Sequence, residues 1–229
     1  MPVKACVFDA YGTLFDVAGA ARIAAAEPSA AAWSGRWPQI AESWRRKQLE
    51  YTWLRACAGA HTDFWQVTCD GLDWALEAAG LDGDVALRAH LLALYRTLPA
   101  YGEVPQTLAQ LRAAGLPCAI LSNGNPPMLA EAVASVGIGQ HLAAVISVED
   151  AGVFKPHPRV YALIERALVL PPHEVAFVSS NCWDACAAAG FGLTAVWVNR
   201  DGAPMDRLHA RPAHVLCDLS PLPELVSRL

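Results

Sequence analysis

Four short apolar runs recur about one helix-length apart in the second half of this chain: residues 117–121 (PCAIL), 143–148 (AAVISV), 174–178 (EVAFV) and 193–198 (LTAVWV). Residues 104–114, 127–136, 157–168 and 182–189 precede or separate them and read as helices. Strands spaced by helical spans are too far apart in sequence for tight hairpins. They need crossover connections, which give a parallel sheet with helices on both faces. A last strand near 214–217 leads to a helix expected to be capped at Ser220, with Pro221 at its first position. Near the start, residues 3–8 (VKACVF) form another continuous apolar run, suited to a strand buried on both faces, and it ends at Asp9.

Between about 16 and 100 the character changes to Ala, Leu, Trp and Arg, with few β-branched residues. The segment 38–57 is a strong helix with an Arg46/Glu50 pair at i,i+4. Residues 63–80 and 83–97 read as helices too, punctuated by Gly80, Gly83 and Pro99. The fold class is therefore α/β: a Rossmann-like parallel-sheet core from residues 1–15 and 100–229, with a helical domain, 16–99, inserted after the first strand. A chain of 229 residues that is 54% apolar can bury a core of that size.

The net charge of -5, with no run of basic residues, argues against nucleic acid as a partner. Seven irregularly spaced cysteines, with no C-x-x-C, read as small buried hydrophobes in a reducing compartment. The histidines show no zinc-ligand spacing. MPVKACVFDA has no signal-peptide core and no apolar run is long enough to span a bilayer, so a cytoplasmic protein without a membrane partner is expected.

Ligands of open parallel sheets bind outside the carboxyl ends of the strands. Those ends carry Asp9, Ser122-Asn123, and Ser179-Ser180-Asn181 with Asp184, while Lys155 follows the 143–148 strand. Each has a local alternative. Asp9 and Ser122-Asn123-Gly124 suit turns, Ser180 or Asn181 suits a helix N-cap, and Lys155-Pro156 suits a surface turn. Together they converge on one crevice. Lys155 is one of three lysines in a chain with fourteen arginines. A compact ammonium suits holding a carboxylate ionised.

In this combination the chain resembles the haloacid dehalogenase superfamily. The matching residues are Asp9-x-Tyr11-Gly12-Thr13, Ser122-Asn123-Gly124, Lys155-Pro156 and Ser179-Ser180-Asn181-x-x-Asp184. Within it the chain most resembles the L-2-haloacid dehalogenases, through Tyr11, the helix 44–55 (WRRKQLEYTWLR), Leu121-Ser122-Asn123-Gly124 and the run 178–184 (VSSNCWD). The resemblance implies a nucleophile on the core, a helical cap over it and a homodimer. It implies a short L-2-haloacid as substrate, opened to a D-2-hydroxy acid through an ester on Asp9, with halide leaving and no cofactor.

The resemblance also implies the roles. Backbone N–H groups at Ala10 and Tyr11 and the Ser122 hydroxyl hold the substrate carboxylate. Arg45 and Asn123 receive the halide. Helical geometry agrees for Arg45, which shares a face with Leu49 and Thr52, whereas Arg46 faces outward to Glu50. Asp184 is the base for water, with Asn181 and Ser179 orienting the site. Thr13 orients Asp9, and Tyr161 reaches Lys155. Tyr11, Leu49, Phe64 and Trp183 enclose the alkyl part.

The rival within the superfamily is a phosphatase or phosphomutase using Asp9 as phosphoryl acceptor. Phosphoryl transfer wants an acid two residues after the nucleophile and carboxylates for magnesium. Position 11 is tyrosine, and Ser179-Ser180 stands where a Gly-Asp pair is wanted. Halide needs neither proton nor metal to leave, so no metal ligands are assigned. A domain kept only for binding predicts a lost catalytic position, and none is lost.

Overall fold

A computed structural model describes residues 2–229. Its sheet has six parallel strands: β1 (Ala5–Phe8), β2 (Cys118–Ser122), β3 (Leu142–Ser147), β4 (Val175–Ser179), β5 (Thr194–Val198) and β6 (His214–Leu216), in the order β3-β2-β1-β4-β5-β6. β1, β2 and β4 are buried throughout, because both faces are covered and each has a strand on either side. β3 alternates between exposed and half-buried residues at its start because it is an edge strand. The strand order reverses at β1, so its carboxyl end and that of β4 flank the topological switch point where such sheets bind ligands.

Four helices lie in the insert: α1 (Gly19–Ala25), α2 (Trp37–Ala58), α3 (Phe64–Ala78) and α4 (Val85–Arg96). Asp63 and Asp84 cap α3 and α4 by accepting backbone N–H groups, which sets where both helices begin. The helices α5 (Val104–Ala113), α6 (Pro126–Val136), α7 (Pro158–Leu168), α8 (Cys182–Phe191) and α9 (Leu222–Val226) flank the sheet. The expected cap of the last helix is corrected: Pro221 is the N-cap residue and no side chain caps it. Ser220 lies before it, where Asp218 accepts its N–H.

The chain leaves the core after β1 and returns before α5 along two segments that pair with each other. Asp16 N–H donates to Pro99 O and Tyr101 N–H donates to Leu14 O. Arg200 ties both segments down: it donates to Thr13 O (3.0 Å), pairs with Glu103 (2.7 Å) and stacks on Tyr101 (3.7 Å to the ring centroid). All seven cysteines are free. Five are buried, but Cys57 and Cys217 are exposed, which corrects the reading of all seven as buried hydrophobes. Among the described residues, no helix is long and apolar enough to cross a membrane.

Candidate active site

Asp9 follows β1 at the switch point and is 6% exposed. Its Oδ2 accepts from Thr13 Oγ1 and Asn181 Nδ2, both at 2.9 Å, and its Oδ1 accepts from Lys155 Nζ at 3.0 Å. Thr13 is itself held, because Ser180 N–H donates to its hydroxyl (2.8 Å). Asn181 sits at the N-cap position of α8, yet its side chain makes no cap bond. It is committed to Asp9 and, through Oδ1, to Arg45 (3.2 Å). The helix-cap alternative for this residue therefore fails.

Lys155 is buried and donates to two carboxylates, Asp9 and Asp184 (2.8 Å). Burial works against the ammonium, but the Asp184 and Asp9 charges outweigh it, so its pKa lies above the ordinary lysine value. Burial pushes the Asp184 pKa above the ordinary carboxylate value, Lys155 pulls it down and Asp9 pushes it up; the net direction is upward. The hydroxyl of Tyr161 donates to Asp184 Oδ1 (2.6 Å). This corrects the expectation that Tyr161 reaches Lys155: the tyrosine positions the acid instead.

Gly12 has φ +95°, a conformation that suits glycine, and it turns the chain sharply after Tyr11. Among the described residues, Ala10 N–H and Tyr11 N–H donate to no protein group. Both residues follow Asp9 directly in the chain. Ser122 Oγ accepts from Gly124 N–H (3.1 Å), and Asn123 Oδ1 accepts from Lys155 N–H (3.0 Å), which leaves the Asn123 amide donors uncommitted. Ser179 Oγ accepts from Asn181 N–H (3.1 Å) and so fixes the start of α8.

Arg45 comes from α2. It donates to Gln48 Oε1 (2.9 Å), Tyr11 O (3.0 Å) and Asn181 Oδ1 (3.2 Å). Among the described residues no carboxylate pairs with it. A small cavity with room for roughly one water lies between α2 and the strand ends. Its lining unites Asp9, Tyr11, Arg45, Leu49, Phe64, Ser122, Asn123, Lys155, Asn181 and Trp183. Thr13, Ser179 and Asp184 hydrogen-bond to residues of that lining, Tyr161 bonds to Asp184, and Ala10 is buried next to Asp9 in the chain. Arg46 is exposed and lies 3.8 Å from Glu50, as expected.

A family model described as haloacid dehalogenase-like hydrolase matches residues 3–192. The chain is 43% identical to (S)-2-haloacid dehalogenase 1 of Pseudomonas sp. (strain CBS-3), over 100% of this chain and 98% of that one. The chain belongs to the L-2-haloacid dehalogenase family. Among solved structures, it is similar to the L-2-haloacid dehalogenase of Xanthobacter autotrophicus with chloropropionic acid covalently bound. That match has a TM-score of 0.88 and 40% identity, and covers 98% of each chain. A haloacid dehalogenase-superfamily phosphatase from Thermococcus onnurineus shares the fold alone, at a TM-score of 0.62 and 22% identity. The fold therefore does not separate the two chemistries; the site does.

Two further residues, neither of them at a strand end, support this site. Gln48 is buried on α2, and its Nε2 donates to Thr68 Oγ1 (2.7 Å) and Tyr95 Oη (3.0 Å) while its Oε1 holds Arg45. Tyr95 also stacks on Tyr11 with centroids 5.6 Å apart. The available signal was an amide three residues after Arg45, on the same helix face.

Proposed function

We propose that this protein is an (S)-2-haloacid dehalogenase that converts short L-2-haloalkanoic acids to D-2-hydroxy acids through an ester on Asp9. The observation that carries this reading is the pairing of a fixed carboxylate with a free cation across one small cavity. Asp9 is held by Thr13, Asn181 and Lys155, and Arg45 faces it without an acidic partner.

The substrate carboxylate sits on the Ala10 and Tyr11 N–H groups and the Ser122 hydroxyl. Asp9 attacks the carbon that bears the halogen, from the side opposite the halogen. The carbon–halogen electron pair leaves as halide into donors from Arg45 and Asn123. Such fixed donors need no reorganisation as charge develops. The carbon inverts once. Ester formation neutralises Asp9, so the Lys155 ammonium is left to Asp184. Asp184 then takes a proton from water as its oxygen attacks the Asp9 carbonyl carbon. The acyl carbon–oxygen bond to the substrate breaks, and the alkoxide takes the remaining hydroxyl proton and leaves as the hydroxy acid. Asp9 returns as a carboxylate, and Asp184 gives its proton to solvent. Tyr161 orients Asp184, and Ser179 sets Asn181. Tyr11, Leu49, Phe64 and Trp183 enclose the alkyl group.

The phosphatase reading lacks its acid. Burial, then Tyr95 and Glu131, push the Tyr11 phenol well above its ordinary pKa, so it is a poor proton donor to a leaving alkoxide. The two carboxylates of the site are already bridged by an ammonium. The test is halide release from L-2-chloropropionate with EDTA present, run beside a general phosphatase substrate. Chloride release is expected; magnesium-dependent phosphatase turnover without it overturns the proposal.

In the same reading the helical insert 16–99 acts as a cap domain on the core, and the protein works as a cytoplasmic homodimer. The surface of α2 and α3, where Leu54 is exposed beside Tyr51 and Trp74, supports that assembly. Light scattering in solution checks it.

A further inference from the structure

Arg45, Leu49 and Trp53 are spaced four apart on α2 and form one stripe. Arg45 lies at the anion end of the cavity and Leu49 forms its wall. Trp53 lies one turn further on, where its ring meets Trp183 of α8 edge-on, with centroids 5.4 Å apart and planes at 85°. Trp183 lines the cavity, and Trp53 is 37% exposed. The pair therefore stands between cavity and solvent, with one ring from the helical insert and one from the sheet core.

The remaining apolar walls are sealed. Tyr11 is 3% exposed and Phe64 1%, and Phe154 lies behind Phe64 with centroids 6.2 Å apart. The aromatic contacts between insert and core, Tyr11–Phe64, Tyr11–Tyr95 and Phe64–Phe154, are buried, and polar pairs also join the two: His61–Glu149 (3.1 Å), Arg96–Glu131 (2.9 Å) and Asn125–Asp63 (3.3 Å). The half-exposed apolar seam is at Trp53–Trp183. Even a haloacetate is larger than the roughly single-water cavity, so the site must widen to admit substrate, and Trp53–Trp183 is its half-exposed apolar border. Any alkyl chain running outward past Leu49 meets the same two rings.

We propose that Trp53 is a specificity-determining residue that closes the outer end of the alkyl pocket against Trp183 and limits the chain length of the 2-haloacid. The proposal deepens the dehalogenase reading and rests on it. Chloride release by the unaltered chain from L-2-chloropropionate is measured first, and its absence sinks that reading itself. With that turnover as reference, kcat/KM is measured for L-2-chloropropionate and L-2-chlorohexanoate in the unaltered chain, Trp53→Ala and Trp53→Phe. Removing the ring opens space for methylene groups, each worth about tenfold or more in an apolar pocket. The hexanoate-to-propionate ratio is expected to rise about tenfold in Trp53→Ala. In Trp53→Phe, which keeps a smaller ring and the fold, it should rise less. A merely structural role would slow both substrates together. A ratio that stays within roughly twofold in both variants, with chloropropionate turnover intact, overturns the gate.

Discussion

Asp9, Lys155 and Asp184 form a chain in which one ammonium serves two carboxylates, and in the proposed mechanism its charge state sets when the site works. Asp9→Asn removes the nucleophile and should abolish turnover. Asp184→Asn should let the ester form but not hydrolyse, so mass spectrometry after exposure to 2-chloropropionate should show Asp9 carrying a 1-carboxyethyl ester. An unmodified chain with full activity contradicts the role of Asp184. The same pair predicts the pH profile. Asp184 must be ionised to accept a proton, and its pKa is raised, so kcat should fall on acidification while still above the ordinary carboxylate range. Lys155 must stay protonated, and its pKa is also raised, so the alkaline limb should lie beyond the ordinary lysine value of about 10.4. Both shifts move the active window toward alkaline pH. An acid limb near pH ~4 contradicts the account of Asp184.

At the scale of elements, the polar strand ends are legible because a buried parallel strand is nearly all apolar, and a polar residue at its end stands out. Asp9, Ser122-Asn123 and Ser179 stand out in that way, and the structure brings them together with Lys155, Asn181 and Asp184. The strand order was not legible, since parallel pairing is set by packing of distant segments. The partners of Tyr161 were misplaced because Lys155 and Asp184 lie 2.8 Å apart and sequence spacing cannot choose between them. Gln48 was missed because one buried amide on a long helix has no periodic signature. Its work is to aim Arg45. Gln48→Leu should leave Thr68 and Tyr95 unmatched, costing about 1–3 kcal/mol of stability in chemical denaturation. It should also lower kcat by up to roughly 100-fold through displacement of Arg45. An unchanged kcat contradicts the link. Gly124 is a further constraint between elements, because a Cβ there would lie 2.9 Å from the Tyr11 ring.

Across the whole molecule, the site exists only where the helical insert meets the sheet, since Arg45 and Leu49 come from one and Asp9 and Lys155 from the other. The two connecting segments are pinned by Arg200, which also touches the backbone of Thr13 and so reaches Asp9 through one residue. Arg200→Met should lower unfolding stability by about 2 kcal/mol, read as a lower Tm, and should raise KM more than the conservative Arg200→Lys does. Equal KM values in both variants would show that Arg200 does not position the insert. The clamp is not legible in the sequence, because its partners lie 97 and 187 residues from Arg200, at Glu103 and Thr13.

The central claim is that Asp9 itself bonds to the substrate carbon. A single turnover of excess enzyme with L-2-chloropropionate in oxygen-18 water tests it directly. Water that attacks the Asp9 carbonyl leaves its oxygen in the protein, so the account predicts label in the peptide containing Asp9 and unlabelled lactate. Label in the lactate with none in Asp9 would mean that water displaces the halide directly, and would contradict it.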